Sequence, residues 1–159
     1  MNTITKFTTK HARWITPVFF GLVFYTFGAS MMDSFVVYHT WRFVGDAEFV
    51  KMHIASGSRI VPFFVMPTLV MTVFLILQFW HRPKSVSRKL VWIALFCTII
   101  PWLSSAFIQI PMQIELDKGK NEELLNMLIV TDWIRVIPTF VLVTVVFTMI
   151  KKSITSDNY

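Results

Sequence analysis

The sequence predicts an all-α membrane protein, a four-transmembrane-helix bundle with antiparallel up-down order. Three observations predict this fold. The 159-residue chain is 55% hydrophobic and only 15% charged, whereas soluble domains carry about 25% charged residues. Its 16 Phe, 9 Met and 6 Trp are more large apolar side chains than one compact core in water would bury. Four apolar segments of about 20 residues are each long enough to cross a bilayer core about 30 Å thick.

The predicted spans cover about residues 14–34, 60–80, 90–114 and 130–150. Short loops join them, which places consecutive helices side by side in opposite directions. The first apolar run is longer than the core of a signal peptide and ends without a small-residue cleavage motif. We therefore expect the first span to be retained. No repeat or linker divides the sequence, so the prediction is a single domain, 1–159.

The distribution of positive charge predicts the orientation in the membrane. The formal net charge is +6. Most basic residues lie in the N-terminal tail, the second loop and the C-terminal tail: Lys6, Lys10, Arg13, Arg82, Lys84, Arg88, Lys89, Lys151 and Lys152. By the positive-inside rule, both termini are expected in the cytoplasm, and we expect a multi-pass protein of a bacterial inner membrane. Short basic clusters between apolar runs argue against a nucleic-acid partner.

The single cysteine narrows the chemistry. Cys97 lies inside the third apolar run. One cysteine excludes an intramolecular disulfide, a Cys-x-x-Cys redox pair and a thiolate metal cluster within one chain. Thiol-disulfide exchange of the kind catalysed by some small four-helix membrane enzymes is therefore not expected.

Polar residues gather where the spans reach the predicted outer side. Asp33 ends the first span, Arg59 begins the second, Gln109 and Gln113 end the third, and Asp132 begins the fourth. A rise of about 1.5 Å per residue from the cytoplasmic ends puts them at a common depth, with Arg135 one turn deeper. A charged side chain inside a span is costly, so it faces the bundle interior, a partner or a water-filled cavity. The sequence therefore predicts an outward-facing polar pocket.

Roles are assigned to this pocket as hypotheses. The candidate catalytic residues are Arg135, Asp132 and Asp33, with the arginine as anion clamp or electrostatic stabiliser and a carboxylate as base. The candidate ligand-binding residues are Gln109, Gln113, Trp133, Arg42 and Arg59. The alternative interpretation is structural, because polar stripes on neighbouring helices also hold a bundle together by hydrogen bonding.

Prolines accompany these polar residues. Pro62 and Pro67 lie in the outer half of the second span, Pro111 near the end of the third, and Pro138 one turn beyond Arg135. Each removes a backbone donor and often kinks a helix. Kinks at this level favour a pocket on the outer side.

The first loop supplies a predicted lid and a candidate metal set. Asp46 is the predicted N-cap of a short amphipathic helix that carries Phe49 and His53 across the outer mouth. His39, Glu48 and His53 form a candidate two-histidine, one-carboxylate metal set. Their spacing matches no compact helical ligand motif, so an ordinary polar role for these residues is the alternative.

Two stretches carry a family resemblance: Gln109-Ile110-Pro111-Met112-Gln113-Ile114 and, after a polar loop, Thr131-Asp132-Trp133-Ile134-Arg135. The pattern resembles a widespread group of small bacterial four-helix membrane proteins, distantly similar to the anthrone-oxygenase-like membrane proteins. In that group His or Asn is common at the place of Gln113, and Asn at the place of Asp132. The resemblance implies the four-helix fold. Because enzyme members oxidise polyketide anthrones without an obvious cofactor, it also implies oxidation of an aromatic or quinone-like substrate.

Three functions are weighed for this chain. The leading hypothesis is a membrane protein whose outward-facing pocket binds a small or lipophilic ligand, with oxygenase-like chemistry as its enzymatic form. The second is a non-catalytic accessory subunit of a larger membrane complex, and the third is transport of a small solute or of protons. The expected partners are the lipid bilayer, a lipophilic small molecule, and a membrane-protein partner or a second copy of the chain. The sequence identifies no cofactor.

Overall fold

The computed structural model describes the backbone of residues 3–156 and the side chains of residues 14–155. The basic residues Lys6, Lys10 and Arg13, which the orientation argument uses, lie outside the described side chains. Four long helices occupy the described chain: α1 (residues 3–43), α2 (Asp46–His81), α3 (Arg88–Leu116) and α4 (Glu122–Ser156). Each is long and apolar enough to cross a membrane. The predicted all-α fold is confirmed, with four helices that are long and apolar enough to span a membrane.

The segment after α1 differs from its prediction. Gly45 occupies the N-cap position of α2 with an extended backbone, and Asp46 is the first helical residue rather than the cap. Gly45 O accepts hydrogen bonds from the backbone N–H groups of Glu48 and Phe49. The helix then continues through residue 81 without a break. The predicted amphipathic loop helix is therefore the first half of α2, since no turn separates it from the span.

The connection before α4 secures two helices at once. Asn121 Oδ1 accepts hydrogen bonds from the backbone N–H groups of Glu123 at 3.0 Å and Leu124 at 3.1 Å, which makes it the N-cap of α4. Lys120 Nζ donates to the carbonyl oxygens of Arg42 at 2.8 Å and Val44 at 3.0 Å. These carbonyls end α1, where unpaired acceptors favour a cation. The α1–α2 and α3–α4 connections therefore meet at one end of the bundle. We call the half of the bundle at this end the distal half, and the half with residues 82–87 the proximal half.

The buried apolar side chains form two clusters, one in each half. The proximal cluster draws on all four helices, and its members include Phe19, Val23, Met71, Leu75, Val91, Ala94, Leu142 and Val146. The distal cluster comprises Tyr38, Trp41, Phe49, Met112, Leu116, Leu125 and Leu128. The outer faces of the helices are covered by exposed large apolar side chains such as Trp80, Phe96 and Phe107. Such a surface suits a lipid solvent and is too apolar for water.

A single π-helical turn interrupts three of the four helices between the two clusters. These turns are Asp33–Val37 in α1, Val61–Val65 in α2 and Ser105–Gln109 in α3. A π turn accommodates one extra residue, is rare, and occurs frequently at functional sites. Pro62 lies inside the α2 turn, whereas the α1 turn contains no proline. Three such turns at one level mark this part of the bundle as unusual.

One backbone acceptor next to the α2 turn is satisfied by another helix. Pro67 has no N–H, so the carbonyl of Phe63 lacks its usual donor four residues ahead. Tyr25 on α1 supplies the missing bond, because its hydroxyl donates to Phe63 O at 2.8 Å. In a lipid environment an unpaired carbonyl has no water to bind. Tyr25 therefore compensates for Pro67.

We expect Tyr25→Phe to lower the free energy of unfolding by about 1 kcal/mol, since the Phe63 carbonyl loses its donor. The measurement is an SDS titration of the protein in mixed micelles. Thr148→Val is the control, because it deletes a hydroxyl that bonds only within its own helix, to Thr144 O at 3.0 Å. It should lower the free energy of unfolding by only about 0.3 kcal/mol. In a Pro67→Ala background the Tyr25→Phe effect should shrink. An equal effect in both backgrounds would contradict the compensation.

Candidate functional site

A cavity of about 390 Å³ lies between the two clusters and is lined by all four helices. Its walls are mainly apolar and aromatic. Its ionisable and amide-bearing lining residues are Asp33, Tyr38, His53, Cys97, Gln109, Gln113, Asp117 and Arg135. Residues of each π turn line it as well, among them Asp33, Phe64 and Ala106. Both its size and its mixture of apolar walls with a few polar groups are typical of small-molecule sites.

Arg135 is the centre of a buried ionic cluster that joins α1 to α4. Its Nε donates to Asp132 Oδ1 at 2.5 Å, and its Nη2 contacts the same oxygen. Nη2 also donates to the hydroxyl of Tyr38 at 2.9 Å and lies 3.6 Å from Asp33 Oδ2. One guanidinium therefore faces two carboxylates, all of them buried. Its single charge is therefore shared between two carboxylates, and its role as an anion clamp stays a prediction.

Two buried acceptors on the cavity wall have no hydrogen-bond partner among the described residues. They are Asp33 Oδ1 and Gln109 Oε1. The amide of Gln109 is oriented by its neighbour: Thr131 Oγ1 donates to Met127 O at 2.7 Å, and Gln109 Nε2 in turn donates to Thr131 Oγ1 at 3.1 Å. This order leaves the amide oxygen as the free group. An unsatisfied buried acceptor costs about 1–3 kcal/mol, and both of these oxygens belong to residues that line the cavity.

His53 connects the ionic cluster to the surface. Its Nδ1 lies 2.7 Å from Asp117 Oδ1, its Nε2 lies 2.7 Å from Gln113 Oε1, and Gln113 Nε2 donates weakly to Tyr38 at 3.5 Å. The imidazole is 4% exposed, whereas the Asp117 side chain is 47% exposed. The ring stacks on Phe49 in the distal cluster, with centroids 5.5 Å apart. A hydrogen-bonded chain therefore runs from a half-exposed carboxylate to the Arg135 cluster.

The candidate metal set is not brought together. No three His, Cys, Asp or Glu side chains are placed to hold a metal ion within the described part of the chain. His39 and Glu48 are exposed, whereas His53 is buried. Both ring nitrogens of His53 are already occupied by Asp117 and Gln113. These contacts, and not metal ligation, account for the buried histidine.

The predicted ligand-binding residues divide into two groups. Gln109 and Gln113 line the cavity, whereas Arg42, Arg59 and Trp133 are exposed and do not. Arg42 donates to the side chain of Asn126, and Trp133 packs edge-to-face on Phe35 with centroids 5.9 Å apart. Trp133 follows Asp132 by one residue, which turns it about 100° away from the buried face of α4.

Among the predicted catalytic residues, Asp33 and Arg135 line the cavity. Asp132 is 3% exposed and is not part of the lining, because it lies behind Arg135. Its role is to hold the guanidinium in place.

Two site residues were missed by the sequence argument, Tyr38 and Asp117. Tyr38 follows Asp33 by five residues, a spacing that separates two residues on a regular α-helix. The π turn Asp33–Val37 closes this spacing and brings both side chains to one face. No proline marks the turn, so the sequence gives no signal for it. Asp117 lies in a loop, and only its contact with His53 on another helix reveals it.

Fold and cavity together define the class of this molecule: an all-helical chain with four helices able to cross a membrane and an internal cavity with a buried ionic cluster. No protein-family model, no curated protein and no solved structure matches the chain. Its function is therefore argued from the geometry of the site.

Proposed function

We propose that this chain is an integral membrane protein that binds a small lipophilic molecule in the cavity between the two clusters. The observation that carries the proposal is the cavity itself, which combines apolar and aromatic walls with the unpaired acceptors Asp33 Oδ1 and Gln109 Oε1. Apolar walls give a lipophilic ligand its affinity, and a few placed polar groups fix its orientation. The structural interpretation of the polar stripes leaves these two acceptors unexplained.

The helices are proposed to alternate in direction, in an antiparallel up-down bundle. Thr16 Oγ1 near the start of α1 donates to Gln78 Oε1 near the end of α2 at 2.9 Å. Phe24 packs on Phe147 near the end of α4, with ring centroids 5.1 Å apart. Both contacts support antiparallel neighbours with the termini in the proximal half. If the basic tails and the second loop lie on the cytoplasmic side of a bacterial inner membrane, the cavity lies in the outward-facing half of the bundle.

The cavity is proposed to open sideways, between α2 and α3. Gly57, Ala106 and Ile110 line the cavity and are at the same time exposed on the surface of the bundle. Their neighbours Ile54 and Phe107 are exposed apolar residues, 54% and 75% accessible. A molecule dissolved in the bilayer reaches this opening without crossing a polar surface. The proposed route of entry is therefore the lipid phase.

We expect Gly57→Trp to block binding, because an indole at the opening fills the route that a ligand uses. A Cβ at Gly57 would meet no atom within 4 Å, so the helix has room for a side chain there. The matched control is Gly57→Ala, which should keep binding and raise the free energy of unfolding by about 0.5–1 kcal/mol.

The probe is 4-phenylbutanol, and the measurement is its concentration-dependent shift of the unfolding midpoint of protein in lipid nanodiscs. Partitioning of the probe into lipid affects both variants equally, so their difference reports the cavity. An affinity about tenfold lower for Gly57→Trp than for Gly57→Ala is expected. Equal shifts for the two variants would exclude the cavity as the binding site.

A further inference from the structure

We infer that the head group which the cavity accepts is a cation, the protonated amine of a lipophilic molecule. This inference rests on the proposed function and adds the chemical class of the ligand to it. Three independent features of the site carry it: the balance of formal charge, the polarity of the unpaired groups and the aromatic walls.

The first feature is an excess of carboxylates. Asp33 and Asp132 share the single guanidinium of Arg135. Asp117, beside His53, adds a further carboxylate at the distal end of the cavity. Among the described lining residues, Arg135 is the only Lys or Arg. An anionic ligand would add a further negative charge to a guanidinium that already faces two carboxylates, whereas a cation completes the balance.

The second feature is that the unpaired groups on the wall accept hydrogen bonds. Asp33 is 7% exposed and Gln109 is 2% exposed, and Oδ1 of the first and Oε1 of the second have no partner within the described chain. A protonated amine carries up to three N–H donors and no acceptor. It therefore matches these oxygens, and its bond to Asp33 is charge-assisted. A carboxylate head group offers the oxygens nothing.

The third feature is the aromatic lining next to these oxygens. The side chains of Tyr38, Trp41, Phe64 and Trp102 line the cavity. Aromatic rings attract cations through their π faces, and the attraction is stronger where water is excluded. The Arg135 guanidinium already lies 5.8 Å from the centroid of the Tyr38 ring. The cavity thus presents the two groups that favour a desolvated ammonium, carboxylate oxygens and aromatic rings.

The test compares three probes with one skeleton: 4-phenylbutylamine, 4-phenylbutanol and 4-phenylbutyrate at pH 7.5. The full chain is used in nanodiscs of zwitterionic lipid, so that the surface charge of the membrane does not select the probe. Affinities are taken from the shift of the unfolding midpoint, with Gly57→Trp as the blocked reference. The amine is expected to bind about tenfold more tightly than the alcohol, and the carboxylate more weakly than both.

Two variants test the head group itself. Asp33→Asn should lower the affinity for the amine about tenfold more than it lowers the affinity for the alcohol, and so remove the preference for the amine. Gln109→Glu, which adds a carboxylate in place of the amide, should increase the affinity for the amine and serves if Asp33→Asn does not fold. If all three probes bind with equal affinity and Gly57→Trp abolishes their binding, this inference is overturned and the proposed function is kept. Tighter binding of the carboxylate would also overturn it, and binding of no probe would overturn both.

Discussion

Arg135→Ala is expected to lower the free energy of unfolding by about 3–5 kcal/mol, because removal of one partner of a buried ion pair leaves the other charge uncompensated. Here the substitution strands two carboxylates, Asp132 at 3% exposure and Asp33 at 7%. It also removes the donor that binds the hydroxyl of Tyr38 at 2.9 Å. The measurement is SDS-induced unfolding in mixed micelles.

The control for Arg135 is an arginine on the surface. Arg42 is exposed and bonds the side chain of Asn126, so Arg42→Ala should cost less than about 1 kcal/mol. If Arg135→Ala does not fold, the double variant Asp132→Ala/Arg135→Ala should recover part of the stability, since one stranded carboxylate is gone. Similar losses for Arg135→Ala and Arg42→Ala would show that the buried cluster is not a stabilising unit.

His53→Ala is the second large effect, with an expected loss of about 3 kcal/mol, because it leaves a void in the distal cluster and removes two hydrogen bonds. The imidazole lies between Phe49, stacked at 5.5 Å, and Trp41, edge-on at 4.7 Å between centroids. Its bonds to Asp117 and Gln113 join α2 to α3. We expect the damage to be local. Amide hydrogen exchange should therefore accelerate in residues 38–60 more than in the proximal half.

His39 offers a matched control for His53. His39 is exposed, so His39→Ala should change the free energy of unfolding by less than about 0.5 kcal/mol. His53→Phe keeps an aromatic ring between Trp41 and Phe49 and isolates the hydrogen bonds, with an expected loss of about 1–2 kcal/mol. A loss for His39→Ala as large as for His53→Ala would contradict the assignment of His53 to the core.

The hydrogen-bonded chain from Asp117 to Arg135 links all four helices next to the proposed ligand site. It passes from Asp117 on the surface through His53, Gln113 and Tyr38 to Arg135, and these side chains come from all four helices and the α3–α4 connection. A ligand that bonds to Asp33 adds to the same cluster. Since anything that binds only the folded state stabilises it, cavity ligands are expected to stabilise the contacts between helices in the distal half.

Much of the site follows from local regularities of the sequence. Asp33, Arg59, Gln109, Gln113 and Asp132 were placed at a common depth, with Arg135 one turn deeper, by the constant rise of a helix. Asp33, Gln109, Gln113 and Arg135 line one cavity, whereas Arg59 and Asp132 do not. The rise per residue depends only on backbone geometry, so it does not change with the packing partners of the helix. The prohibition on lone charges in a membrane directed Arg135 inward for a similarly general reason.

Other features of the site could not be predicted from the sequence, because they depend on the rotation of side chains around the helix axis and on contacts between residues far apart in the chain. The π turn in α1 brings Tyr38 to the face of Asp33, against the spacing of a regular helix. Trp133 was predicted to bind the ligand, yet the helical rotation of one residue beyond Asp132 puts it on the outside. The metal set failed because His53 contacts Gln113 on α3 and Asp117 in the α3–α4 connection, which no spacing within the first loop reveals.

The sequence by itself predicted the general architecture: a chain with 55% hydrophobic and 15% charged residues, arranged in four long apolar segments, forms four helices that are long and apolar enough to cross a bilayer. Only the tertiary structure decided the electrostatics of the site. It brought Asp33 of α1 within 3.6 Å of the Arg135 side chain on α4, and so placed a second carboxylate, with one unpaired oxygen, beside a guanidinium that Asp132 already binds. The physical reason is that hydrophobicity and helical rise are properties of single residues and neighbours, whereas charge balance depends on which helices face each other.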